Sequence, residues 1–511
     1  MRRMMIVAAA SLAAVFPESR AGAVIHAMAT VDTRAAGVRI APEIYGQFSE
    51  QLGEGITGGI WVGEDSPIPN IRGYRRDVVE ALKELHVPVL RWPGGCYADT
   101  YHWRDGIGPR AQRPIRLNKW WGNNEEHNAF GTHEYFDFAE LIGTKTFLSV
   151  NLGTGTAGEA NDWVEYVTSP SHSALAQQRR SNGHEQPWKV DYAGLGNESW
   201  GCGGNLTAAQ YAPLMRVFGT FLRQEDGPKL VSVGPSADDY AWTEEIMKSH
   251  DKYDMLSLHY YTLPTGDWSH KGAAVGFSQS EWLGTFVQTR RMEEMIARHS
   301  AIMDRSDPQK TVALAVDEWG TWYDTPPGAP ALRQENTLRD ALVAATNFNI
   351  FHRHADRVRM ANIAQTVNVL QAMILTDGAR MVRTPTYYAF LMYRRFQGTS
   401  ALPVTTSSPD YVVGGSKVPA IDVTAAKGRG GAIYVSLVNV DPTQSASVEL
   451  AIDGVGKRVA GQVLTAAKMD SRNLFGASEA VRPAAFTGAR WVRGGLRVEM
   501  PQKSVVVLSI K

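Results

Sequence analysis

Between about residues 40 and 395, short apolar runs alternate with longer stretches whose apolar residues recur every three or four positions. The short runs, at 44–49, 88–91, 146–151, 192–196, 230–233, 255–259, 311–316 and 360–364, read as strands. Glycine, proline or polar residues follow each one, and then a helical segment; 134–142 and 338–352 show the helical spacing well. Strand and helix in regular alternation predict an α/β fold with a parallel sheet. After about residue 396 the helical period stops. Short alternating runs take over at 421–425, 431–440, 447–452, 459–464, 496–500 and 504–510, separated by turns such as Asp441-Pro442 and Asp453-Gly454. This texture predicts a C-terminal antiparallel β-sandwich over 396–511. The segment 24–40 is also strand-like and is expected to join it, which leaves 41–395 as the α/β domain.

The first residues read differently. Arg2 and Arg3 precede an alanine-rich apolar stretch over 4–16, and Ala21-Gly22-Ala23 offers a small-x-small cleavage site. Residues 1–23 are therefore expected to be a signal peptide, and the protein to be exported to the periplasm or beyond. The stretch is short for a membrane span, and no membrane association is expected. The 511-residue chain carries 52 Lys plus Arg against 52 Asp plus Glu, so no global field steers it to nucleic acid or an acidic membrane. Neutral ligands are the expectation. The 14 tryptophans suit sugar stacking, although most tryptophans in a protein this size belong to the core. Cys96 and Cys202 are the only cysteines, too few for a disulfide scaffold and without the spacing of a zinc site. They follow non-neighbouring strands and are expected to be unpaired thiols.

In a barrel of alternating strands and helices, chemistry gathers where strands end. The fourth strand ends in Gly196-Asn197-Glu198, the seventh in Val316-Asp317-Glu318-Trp319. Two carboxylates facing each other across a barrel mouth suit glycoside hydrolysis, one protonating the leaving oxygen and the other attacking the anomeric carbon. Strand alternation lets only one of Asp317 and Glu318 face the mouth. On the sixth strand His259 and Tyr261 share a face, and a tyrosine hydroxyl there can orient a nucleophilic carboxylate. The second strand runs into Pro93-Gly94-Gly95-Cys96, whose glycines permit close backbone approach to a ligand. The first strand ends in Ser49-Glu50-Gln51, and the eighth carries Asn362 and Gln365.

Taken with Ile44-Tyr45-Gly46-Gln47-Phe48-Ser49-Glu50, Leu90-Arg91-Trp92-Pro93-Gly94-Gly95-Cys96, the run from Trp103 to Arg110 and Phe130-Gly131-Thr132-His133-Glu134-Tyr135, these motifs resemble glycoside hydrolase family 51, the α-L-arabinofuranosidases. The resemblance extends from about Ile44 to the C-terminus. It implies a (β/α)8 TIM barrel with a C-terminal β-sandwich, and a retaining, exo-acting enzyme that needs no metal or organic cofactor. It implies Glu198 as acid/base and Glu318 as nucleophile, with Glu50, Cys96, Asn197, Tyr261 and Gln365 around the sugar; His259 joins them by its place beside Tyr261. An arabinofuranosyl-containing carbohydrate is the implied partner. Members of the family are often oligomeric, and self-association is an expectation. Trp120 or Trp121 is expected on the leaving-group side. Gln47 and Gln51 stand where many relatives carry histidine, and the Gly201-Cys202-Gly203-Gly204 extension suits only some of them. The alternatives are another retaining glycosidase on this scaffold, an endoglucanase or β-xylosidase, and a non-catalytic carbohydrate-binding protein.

Overall fold

The computed structural model describes residues 24–511; the expected signal peptide lies outside them. Eight parallel strands close into a barrel: β1 (Gly46–Phe48), β2 (Val89–Trp92), β3 (Lys145–Val150), β4 (Tyr192–Leu195), β5 (Lys229–Ser232), β6 (Met255–Thr262), β7 (Ala313–Thr321) and β8 (Val358–Ala364). Each is buried along nearly its whole length, which is why these strands read as continuous apolar runs. Helices return the chain between strands; Thr132–Ile142 and Leu338–Arg353 lie where the sequence spacing predicts them.

Two sheets follow. A seven-stranded sheet centres on Ile421–Lys427, Ile433–Asn439 and Ser504–Ile510. A five-stranded sheet contains Ala446–Ile452 and Gly495–Met500. The N-terminal strand Ile25–Val31 belongs to the second sheet. It pairs antiparallel with Val404–Ser407 and, against the all-antiparallel expectation, parallel with Ala446–Ile452. A strand arriving from the other end of the chain needs no hairpin, so turn geometry does not dictate its direction.

The helix Leu338–Arg353 is buried on almost all sides because it is covered by the barrel on one flank and the sheets on the other. Its Asn349 and Arg353 both donate to Asp422, at 2.9 and 3.1 Å, and the Trp282 indole donates to the Val440 carbonyl at 2.8 Å. The barrel mouth is thus carried on a body joined by apolar packing and by specific polar contacts.

Candidate active site

β2 delivers Arg91 into the barrel at 1% exposure. A buried guanidinium requires partners. It finds Glu318 Oε1 through Nη1 at 2.7 Å, Asn197 Oδ1 through Nη2 at 2.5 Å, and Asp317 Oδ2 at 3.7 Å from Nε. The other Glu318 oxygen accepts from the Tyr261 hydroxyl at 2.8 Å. Both oxygens of Glu318 are therefore held by donors, one of them charged.

Glu198 sits opposite, at the end of β4, with a backbone φ of 40°. That left-handed conformation is costly for a non-glycine residue and characteristic of functional sites. His259 Nδ1 lies 2.9 Å from Glu198 Oε1, and His259 Nε2 lies 3.3 Å from Asp317 Oδ1. One donor atom from each of Glu198, His259 and Glu318 falls within 4.8 Å of the others. Burial raises the Glu198 pKa, and the charge of Glu318 adds to it, against a lowering hydrogen bond from His259. Burial alone would depress His259; the carboxylates of Glu318 and Asp317 and its hydrogen bonds outweigh this and push it up to about 10. Burial also opposes ionisation of Asp317, but Arg91 and His259 together hold its pKa below the usual carboxylate value.

Glu50, Cys96, Asn197, Tyr261 and Gln365 line one small cavity of about 60 Å³ with Glu198 and Glu318. His259 stands just behind Glu198. The sequence reading thus names residues that the fold brings together, and five points differ from it. Asp317 and Glu318 both reach the site. Register shifts where β7 pairs with β6 and β8, around residues 316–319, interrupt the simple alternation. Trp121, expected on the leaving-group side, lines the same small cavity, donating its indole N–H to Glu50 at 2.9 Å, and is not among the walls of the wider groove, while Trp120 is exposed. Gly95 is needed chiefly by Glu50: a Cβ there would lie 2.5 Å from the Glu50 carboxylate. Arg91 was not anticipated; its signal was a charge inside an apolar strand.

The fifth difference concerns the cysteines. Cys96 and Cys202, expected to be unpaired, form a disulfide with Cα atoms 5.5 Å apart. Their strands are indeed not neighbours. The loop after β4 turns back on itself, with Gly201 and Gly203 N–H groups donating to the Glu198 carbonyl and Asn205 to that of Gly201. This excursion carries Cys202 across to the loop after β2.

Beside the small cavity a groove of about 440 Å³ opens from Glu198 and Tyr261, walled by Trp200, Trp268 and Trp322 and by the Asp238–Arg291 pair. Residues 81–274 match the alpha-L-arabinofuranosidase 1 domain, and residues 317–504 match the alpha-L-arabinofuranosidase C-terminal domain. An intracellular exo-alpha-L-arabinofuranosidase of Bacteroides ovatus is 46% identical over 483 residues, 93% of this chain and 94% of the relative. The chain belongs to glycoside hydrolase family 51. The crystal structure of the family 51 arabinofuranosidase from Xanthomonas axonopodis pv. citri superposes with a TM-score of 0.94 at 48% identity, covering 95% of this chain and all of that one. An α-L-arabinofuranosidase from Thermotoga maritima, solved as an arabinose complex, gives 0.81 at 29% identity over 94% of this chain and 99% of its own. The expectation of an exported protein is overturned here, because the Bacteroides relative, similar over nearly the whole chain, is an intracellular enzyme.

Proposed function

We propose that Glu198 is the acid/base and Glu318 the nucleophile of the retaining, exo-acting α-L-arabinofuranosidase reaction of this family 51 enzyme. The two carboxylates supply the reading's main support: their nearest oxygens lie within 4.8 Å, and their surroundings differ in the required sense. Retaining enzymes hold the pair about 5–5.5 Å apart, too close for an intervening water. Arg91 and Tyr261 stabilise Glu318 as an anion aimed at the anomeric carbon. Burial and the Glu318 charge keep the proton on Glu198 until the leaving oxygen takes it. Once Glu318 is esterified its charge is gone, Glu198 ionises more readily, and it can draw a proton from water.

The small cavity and the groove share Glu198, Tyr261 and Trp322, and the terminal sugar fits where they join, with Glu50, Asn197 and Gln365 offered to its hydroxyls. The tryptophan-walled groove beyond Glu198 receives the rest of the molecule, which fits side-chain arabinofuranosyl groups on arabinan or arabinoxylan. A 2-deoxy-2-fluoro arabinofuranoside with a good leaving group should trap the enzyme with a covalent label on the peptide containing Glu318. Labelling of Asp317 would reverse the choice between the two. Turnover of an aryl β-xyloside in preference to an aryl α-L-arabinofuranoside would favour the β-xylosidase reading.

A further inference from the structure

Cys96 and Cys202 have no step in the two-glutamate reaction, yet they stand against the acid/base. Cys202 Sγ is 3.6 Å from Glu198 Oε2, and one donor atom from each of Cys96, Glu198 and Cys202 lies within 4.8 Å of the others. All three are half-buried, so a cation from solvent can reach them. While the sulfurs are bonded to each other they carry no thiolate charge and make poor ligands. Opening the bridge changes that. A trialkylphosphine takes oxygen from water to become the phosphine oxide, and the two sulfurs leave as thiols. A divalent cation can then displace both thiol protons. Two thiolates and a carboxylate are the soft, anionic set that zinc prefers, with a fourth tetrahedral position open to water. Zinc-bound sulfurs lie about 3.7 Å apart given Zn–S bonds of about 2.3 Å. Backbones 5.5 Å apart can accommodate this by rotation of the side chains.

We infer that Cys96, Cys202 and Glu198 form a latent zinc site, created when the disulfide is reduced, and that zinc bound there takes Glu198 out of the reaction. The rival trio of Glu198, His259 and Glu318 is a poorer site: Arg91 already holds Glu318, and both ring nitrogens of His259 are engaged, one by Glu198 and the other by Asp317. The site does not depend on the acid/base reading; the loss of activity does.

The test uses full-length protein oxidised with diamide or reduced with a trialkylphosphine that is then removed. Bound zinc is measured by equilibrium dialysis, and hydrolysis of an aryl arabinofuranoside with and without zinc. Reduced wild type should bind one more zinc per chain than oxidised protein and lose at least about ten-fold in activity, restored by a chelator. Oxidised protein and reduced Cys202→Ser should bind no extra zinc, with activities with and without zinc within about two-fold. Equal binding by oxidised and reduced protein, or undiminished binding by Cys202→Ser, would overturn the site. Zinc bound without inhibition is resolved by Glu198→Ala. Unchanged binding by that variant removes Glu198 from the ligand set, whereas lost binding keeps it as ligand and counts against its acid/base role.

Discussion

Single side chains at the barrel mouth are defined by their partners more than by their own chemistry. Tyr261 donates to Glu318 at 2.8 Å, and with Glu318 as the proposed nucleophile this contact matters most as charge moves on and off it. Tyr261→Phe should therefore lower kcat by roughly ten-fold or more with a much smaller change in KM. An unchanged kcat would make Tyr261 a packing residue. Glu50 and Asp99 are buried carboxyl groups that burial pushes up to about 7, in Asp99 despite N–H donors from Asn197, Leu152 and Gly153. The folded protein holds these protons more tightly than the unfolded chain does. Their contribution to stability is complete below about pH 4 and is lost as pH rises to about 7. Buried histidines with lowered pKa values, His352 at about 3 and His133 at about 4, gain stability over much of the same window, so the contribution is read as a difference: the Tm of Glu50→Gln or Asp99→Asn should rise relative to wild type as pH goes from about 4 to 7. A Tm difference between variant and wild type that does not change with pH would contradict it. Arg91 shows why residue roles were only partly legible in the sequence. A charge inside an apolar strand demands partners, but only the closed barrel brings Asn197 and Glu318 to it from 106 and 227 residues away.

At the scale of elements, the hairpin of Arg116–Asn118 and Asn124–Glu126 carries Trp121 into the small cavity proposed to take the terminal sugar. Trp121→Phe keeps an apolar wall but loses the donor to Glu50; Trp121→Ala loses both. KM for an aryl arabinofuranoside should rise in that order, by roughly ten-fold for alanine. Equal KM values would place the hairpin outside the binding site. The eight barrel strands were legible because a doubly buried strand is largely apolar, and the later ones because short strand-like runs separated by turn residues replace the helical period; only in the five-stranded sheet does burial alternate, as in Ile25–Val31 and Gly495–Met500. Local departures from regularity were not. The register shift around residues 316–319 turns Asp317 inward although strict alternation assigns it outward. The glycine-rich loop after β4 spans a gap that strand spacing alone says is too wide for a disulfide. Both depend on where backbone hydrogen bonds are made, which residue type alone does not specify.

Across the whole molecule, the barrel and the sheets share the buried helix Leu338–Arg353, and Asp422 is the polar joint between them. Removing Asp422 leaves Asn349 without that acceptor and Arg353 with Glu293 alone. Asp422→Ala should lose about 3 kcal/mol of stability, seen as a lower Tm in a single transition, while Glu318 labelling of the folded protein persists. Two separate transitions in the wild type would show instead that barrel and sheets unfold independently. The central assignment, Glu198 as acid/base and Glu318 as nucleophile within one retaining site, is tested most directly by azide rescue with an activated aryl α-L-arabinofuranoside. In Glu198→Ala, azide should attack the glycosyl-enzyme from the face that water uses and give the α-arabinofuranosyl azide. In Glu318→Ala, azide should take the place of the carboxylate and give the β-azide. The reverse pairing of anomers, or full activity in either variant without azide, would contradict the assignment.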